Sequence, residues 1–206
     1  MQTNDHRITN EEQLRAILGN PSPATKSKVL SELDEAATDF IQRSPFIVLA
    51  TADREGNQDA SPKGDHPGFI AIEDSRTLLI PERKGNKLAF GYLNILENPR
   101  VGLIFLTPGT NETLRINGAA ELTSDPKVCE LLTARGAPAI LAIRVKIHEC
   151  FFHCAKAFIR SQLWKPETWH PLKVSFGKQF AQRAGKGDDL AQKIDEAIER
   201  DYRENL

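Results

Sequence analysis

The 206-residue chain is short of the residue types that most quickly betray a function. It holds one methionine, two tryptophans, two tyrosines and three cysteines. Three cysteines (Cys129, Cys150, Cys154) are an odd number in a chain this long and form no disulfide framework, so a reducing cytoplasm is the default compartment. No apolar run approaches the roughly 20 residues needed to span a bilayer. The opening MQTNDHRITNEEQ lacks the apolar core of a signal peptide. Charge of either sign is not in excess: 27 Lys and Arg against 28 Asp and Glu give a formal net charge of −1. No global positive field therefore draws the chain to nucleic acid or membrane, and any anion it binds is held by a local cluster. The G-x-S-x-G elbow, the P-loop and the Rossmann glycine fingerprint are missing too. His66 stands near Ser61 and Asp65 in sequence, but local proximity is not a Ser–His–Asp geometry. If the chain is an enzyme, a cofactor supplies the reactive atoms.

What is present reads as one globular domain with terminal additions, with ordinary hydrophobic (40%) and charged (27%) fractions. Residues 1–44 are expected to be helical. Thr9-Asn10-Glu11-Glu12 reads as a capping box before a stripe of Leu14, Ile17 and Leu18, and Val29 to Ile41 reads as a longer helix that stops before Pro45. Residues 45–170 carry the core. Phe46 to Thr51 is a β-branched run of strand length, DREGN is a hairpin turn, and Gln58 to Lys63 pairs back, with Pro62 marking a strand end. Phe69 to Ile72 and Thr77 to Ile80 form a second hairpin closed by Pro81. Gly85-Asn86 starts a helix with Leu88, Tyr92, Ile95 and Leu96, ended by Asn98-Pro99. Val101 to Leu106, Thr113 to Leu122 and Ala139 to Ile147 are further strands, with a short helix over Asp125 to Thr133. The predicted fold class is a β-barrel with α additions (α+β): six or seven mostly antiparallel strands, closed or nearly closed so that sheet edges are not left exposed. Residues 171–206 form a charged helical tail with a stripe of Leu190, Ile194 and Ile198.

Basic groups gather at strand ends: Lys63, Arg83, Lys84, Lys87 and, within a strand, Arg115. Gly64 lets the backbone beside Lys63 approach a ligand closely. Asn86 and Lys87 open the predicted helix, where free amides and the dipole favour an anion such as a phosphate. On the residues alone these charges read more readily as solvated strand ends than as a phosphate site. The CFFHC cluster (Cys150, His153, Cys154) has neither the haem-attachment order nor a second ligand pair at zinc spacing, so it reads as a packed, partly buried cluster and no metal is expected. Cys129 reads as core.

The run FIVLATADREGNQDASPKGD, TLLIPERKGNKLAF and NILENPRVGLIFLTPGTNETLRINGAAEL resembles the pyridoxamine 5′-phosphate oxidase-like, FMN-binding split-barrel proteins. It is closest in pattern to a bacterial branch marked by S-P-[KR]-G-D, LLIP, NP-R-VGLIFL, ETLR-NG-A and a late HC-KA--RS-LW, over about Phe40 to Trp169. The resemblance implies a split barrel, a homodimer with FMN at its interface, and a flavin-dependent oxidoreductase acting on a small molecule, without nucleic acid or membrane partners. It implies that Ser61, Pro62, Lys63, Gly64 and Asp65 line the flavin, with Leu79, Ile80 and Pro81 on the strand beneath. Asn86 and Lys87 then fall at the phosphate and Thr113 near the ring; Arg115 is a mark of this branch, and Lys156, Arg160, Ser161 and Trp164 fall near the flavin, across the dimer. No catalytic acid or base is assigned; Lys63, Arg115 and His66 are the candidates. The tail IERDYRENL lacks the Arg-x-His substrate motif of the vitamin B6 oxidases proper, and their Arg-Lys pair at the helix start stands here as Lys87-Leu88, so pyridoxamine phosphate oxidation is not implied. Two rival readings belong to the same fold. One is a flavin-binding protein without turnover, for storage or sensing. The other is a barrel that holds haem, with His153 or His148 as axial ligand, or F420 in place of FMN.

Overall fold

The computed structural model describes residues 6–205; the first five residues of the sequence read above as free of a signal peptide, and Leu206 of the tail, lie outside the described residues. Seven strands form the described sheet: β1 (Phe46–Ala52), β2 (Gln58–Gly64), β3 (Ala71–Asp74), β4 (Thr77–Glu82), β5 (Arg100–Leu106), β6 (Thr113–Thr123) and β7 (Leu141–His153). Every pairing is antiparallel and the order is β2-β1-β5-β6-β7-β4-β3. This is the β-barrel with α additions expected from the sequence.

The barrel follows from alternation. In β1, Ile47, Leu49 and Thr51 are buried while Phe46, Val48 and Ala50 face the other way, and β5 repeats this with Val101, Leu103 and Phe105 inward. Leu114, Ile116, Val145 and Ile147 complete the inner face from β6 and β7. Each fully buried Ile, Leu or Phe contributes about 1.5–3 kcal/mol, so this interior outweighs any single polar contact in holding the barrel. A bulge between Asn117 and Gly118 bends β6 against β7. The sheet curls far enough that β2, at one end of the order, meets β4 near the other: Lys63 Nζ lies 2.7 Å from Glu82 Oε2. Pro62 sits in β2 opposite Val48, on an edge strand where its missing N–H costs no pairing.

Eight α-helices flank this sheet among the described residues. α1 (Glu11–Leu18), α2 (Pro23–Ser27) and α3 (Glu35–Arg43) precede it; α4 (Phe90–Glu97) and α5 (Pro126–Leu131) are inserted; α6 (Lys156–Ser161), α7 (Phe176–Arg183) and α8 (Asp188–Glu204) follow. None is long and apolar enough to cross a membrane. α5 rests on a second small core of Leu79, Val128, Cys129, Leu132, Ala139 and Ala142, placing Cys129 in the interior as expected.

Several boundaries differ from the sequence reading. The helix expected from Val29 starts only at Glu35, because Asp34 caps it by accepting from the Ala37 amide, 2.8 Å away. Before it the chain turns and bends rather than coiling into a helix, with Leu30 exchanging both backbone hydrogen bonds with Cys150. The first helix is capped by Asn10 rather than Thr9, and Gln13 reaches back to the Thr9 amide. Its stripe of Leu14, Ile17 and Leu18 is exposed in the single chain. Pro81 does not close the second hairpin but lies within β4, opposite Ala142. β7 runs six residues past Ile147, to His153, because it pairs with the full length of β6.

Candidate functional site

Two polar clusters bridge the seam where β2 approaches β4. In the first, Lys63 from β2 donates to Glu82 at the end of β4 and to the Tyr92 hydroxyl of α4, at 2.7 and 2.6 Å. Tyr92 in turn donates to Glu82, and Lys63 lies 4.7 Å from the centre of the tyrosine ring. Burial, together with the hydrogen bond and charge of Glu82, pushes the Tyr92 phenol well above its ordinary value. The phenol therefore stays protonated and can act only as a donor to the carboxylate. All three groups are satisfied by one another, which makes this cluster a closed clasp holding α4 to the seam. Asn94 adds a second tether, its Nδ2 donating to Thr51 Oγ1 at 3.1 Å.

In the second cluster Asp65, whose side chain is 1% exposed, accepts from Arg83 Nε at 3.1 Å and lies 3.5 Å from Arg135 Nη2. Burial of the carboxyl acts to raise its pKa, but the His66 amide, the Arg83 hydrogen bond and the charges of Arg135 and Arg83 outweigh it and hold it below the usual carboxylate range. Arg83 Nη1 also donates to the Leu132 carbonyl at 2.8 Å. Asp65, Arg83 and Arg135 line a cavity of about 280 Å³ together with His66 and Thr133.

Between these clusters and α4 runs the strap Lys84 to Ala89. Here the sequence reading needs correction. Lys87 does not open the helix: it takes a left-handed conformation (φ 62°), Ala89 does the same (φ 56°), and α4 begins only at Phe90 with no side-chain cap. Asn86 uses its side-chain oxygen to accept from the Leu88 amide at 3.0 Å. Lys84 and Lys87 are exposed and make no ion pair among the described residues. Their charge is open, whereas that of Lys63 is committed.

The other predicted residues are dispersed. Ser61 faces the barrel side of β2, Pro62 the outside. Leu79 and Ile80 are fully buried in two different cores, and Pro81 is buried beside them. Thr113 is buried at the start of β6. Arg115 points out of the barrel, its guanidinium 5.2 Å from the centre of the Phe151 ring and without an ion-pair partner among the described residues. Lys156, Arg160 and Ser161 are exposed on α6, and the Trp164 ring lies tilted against that of Phe158, centres 5.8 Å apart, while its indole N–H donates to the Thr110 carbonyl at 2.7 Å. The CFFHC segment does not form one packed cluster: Cys150 is buried, its thiol pushed up to about 11 by burial and then by the charge of Asp34, while His153 and Cys154 are exposed. A groove of about 610 Å³ on the outer face of β1, β5 and β6, lined by Ala50, Gly102, Asn117 and Glu149 among others, contains none of the residues expected at the flavin, but His148, the alternative haem ligand, lines it. Glu82, Tyr92, Arg135 and Phe151 are the partners that sequence reasoning missed. Lys63 meets Glu82 and Tyr92 across 19 and 29 residues of chain, which no local pattern announces.

A curled, seven-stranded antiparallel barrel with a basic strap between its fourth strand and an inserted helix defines the class. The sequence model of the family described as pyridoxamine 5′-phosphate oxidase matches residues 33–154, more than half of the chain, and the chain belongs to that family. No curated protein matches it significantly. Among solved structures, HupZ of Group A Streptococcus is similar at 17% identity over 58% of this chain and 93% of that one, with a TM-score of 0.48. A candidate pyridoxamine 5′-phosphate oxidase of Lactobacillus delbrueckii is similar at 22% identity over 59% and 95%, TM-score 0.47. A Clostridium acetobutylicum protein related to general stress protein 26 is similar at 14% identity over 59% and 90%, TM-score 0.43.

Proposed function

We propose that the protein is an FMN-dependent oxidoreductase, working in the cytoplasm as a homodimer with the flavin at the interface and acting on a small molecule. Membership of the pyridoxamine 5′-phosphate oxidase family is the observation that carries this reading. The donor set fits the cofactor. Lys84 and Lys87 present two ammonium groups on the strap and Arg115 a guanidinium, none of them ion-paired among the described residues, which suits a phosphate dianion. Lys63 takes a supporting part, because Glu82 already neutralises it; with Tyr92 it fixes the strap's far end rather than reaching for phosphate. Asp65 and Arg83 fix the near end in the same way. FMN, when bound, would accept or pass the electrons of the reaction. The chain's own part is to orient the ring and exclude water from it. Ser61 to Asp65 and Thr113 are the residues proposed to line it, with Leu79, Ile80 and Pro81 shaping the strand behind. Lys156, Arg160, Ser161 and Trp164 are proposed to approach the flavin from the second copy.

Titration of the purified apoprotein with FMN tests the phosphate assignment. Lys87→Ala and Arg115→Ala, made singly, are each expected to cost about 1.5–3 kcal/mol, a loss of roughly ten- to a hundredfold in affinity. Unchanged affinity in both variants would remove the assignment.

A further inference from the structure

The cavity at the end of β2 gathers more positive charge than its own carboxylate uses. Asp65 draws two guanidiniums to one spot: Arg83, just past β4, with Nε 3.1 Å from Oδ2, and Arg135, in the loop after α5, with Nη2 3.5 Å from Oδ1. Asp65 is the only acid among the residues that line the cavity, so one positive charge is left over. Nor are the arginine donors spent. Arg83 gives Nε to Asp65 and Nη1 to the Leu132 carbonyl, and its Nη2 has no partner among the described residues. Arg135 makes only the Asp65 ion pair there, which leaves its Nε and Nη1 unused.

Backbone geometry holds Arg135 in place. Ala134 and Ala137 exchange both hydrogen bonds, at 3.0 Å, around Arg135 and Gly136, whose φ angles are 51° and 77°. Both central positions of such a turn are left-handed, which asparagine and glycine adopt far more readily than arginine. The turn itself gives no reason for an arginine; the carboxylate and the cavity do. Another part of the wall is apolar. Phe69 and Leu131 line the same cavity, and Leu131 is 68% exposed although its helix, α5, packs Val128 and Cys129 into the second core. At about 280 Å³ the cavity lies just under the roughly 300–1,000 Å³ of drug-sized ligand sites, so it suits a body no larger than one ring or a short branched chain. Guanidinium N–H groups beside an apolar wall match a carboxylate on an apolar body, whereas a phosphate dianion brings more charge than the single positive charge left over.

We propose that this cavity binds a small organic carboxylate, its oxygens on the unused N–H groups of Arg83 and Arg135 and its apolar body against Phe69 and Leu131. Asp65 is a positioning residue that holds the two guanidiniums together. The site uses none of the cations assigned to the FMN phosphate and does not depend on the flavin reading.

Calorimetric titration of the full-length protein at neutral pH tests this, with benzoate and isovalerate as probes and benzamide and inorganic phosphate as their counterparts. Saturable one-to-one binding of at least one carboxylate is expected, with benzamide and phosphate at least tenfold weaker. Arg135→Gln is expected to weaken carboxylate binding tenfold or more while the thermal melt stays close to the parent's, because this side chain is 46% exposed and Arg83 still pairs with Asp65. Leu131→Asp, at an exposed position, should give a similar loss by different chemistry, since it removes apolar wall and repels the anion. A folded parent that binds neither carboxylate overturns the proposal. So does phosphate binding as tight as that of the carboxylates, or unchanged carboxylate affinity in either folded variant.

Discussion

The barrel and the terminal helices are built from similar stripes of apolar residues, but only the barrel closes on itself. Ile47, Leu49, Phe105, Leu114 and Ile143 have no measurable exposure or nearly none, because each strand's inner face is roofed by the others. Leu14, Ile17 and Leu18 of α1 and Phe176 and Phe180 of α7 have the same chemistry and remain open. A sheet that curls supplies its own partner surface; a short helix or a two-helix hairpin does not, and must borrow one. The difference separates what the family fold does alone from what this chain's additions are for.

Breaking the barrel is expected to have the largest effect. Phe105→Ala should cost about 3–5 kcal/mol, read as a lower urea midpoint for a transition that takes the whole sheet with it. Two glycines sharpen the contrast. A Cβ at Gly118 would come within 2.2 Å of the Lys146 carbonyl oxygen, at the bulge between β6 and β7, and one at Gly177 within 1.9 Å of the Ala191 carbonyl oxygen, where α7 crosses α8. Gly118→Ala is expected to destabilise the barrel by about 1–3 kcal/mol. Gly177→Ala should open the hairpin to proteolysis while the barrel's melting transition stays in place. A barrel transition that falls equally in both variants would show that the two regions are not separable. The smallest effect depends on pH. Asp65 is held below its unfolded pKa, so its pairing stabilises the fold above about pH 4 and the contribution disappears as pH falls through the folded value. Asp65→Asn should therefore lower the urea midpoint at neutral pH and converge with the parent in acid; a constant gap across pH would contradict the ion-pair account.

The same contrast explains what could be read from the chain. Strands were legible because FIVLATA and VGLIFL carry β-branched and apolar residues at strand period, and DREGN announces its turn through Asp53, which accepts from the Glu55 and Asn57 amides. Val29 to Leu33 has helical spacing too, but its conformation is set by Cys150, some 120 residues away, and spacing carries no sign of a distant strand. The strap was misread for a local reason: Lys87 and Ala89 occupy left-handed backbone, which neither residue type advertises, and this delays the helix to Phe90. Of the site, the basic residues were visible and their partners were not. Lys63 and Lys87 look equivalent in sequence. Only the fold distinguishes them, giving the first a carboxylate and a phenol and leaving the second open.

The central claim is the flavin, and the direct measurement is the visible spectrum of the purified full-length protein, followed by release and identification of whatever it carries. Flavin bands and released FMN are the predicted result. A Soret band, a released deazaflavin, or a colourless protein that also fails to bind added FMN would contradict it.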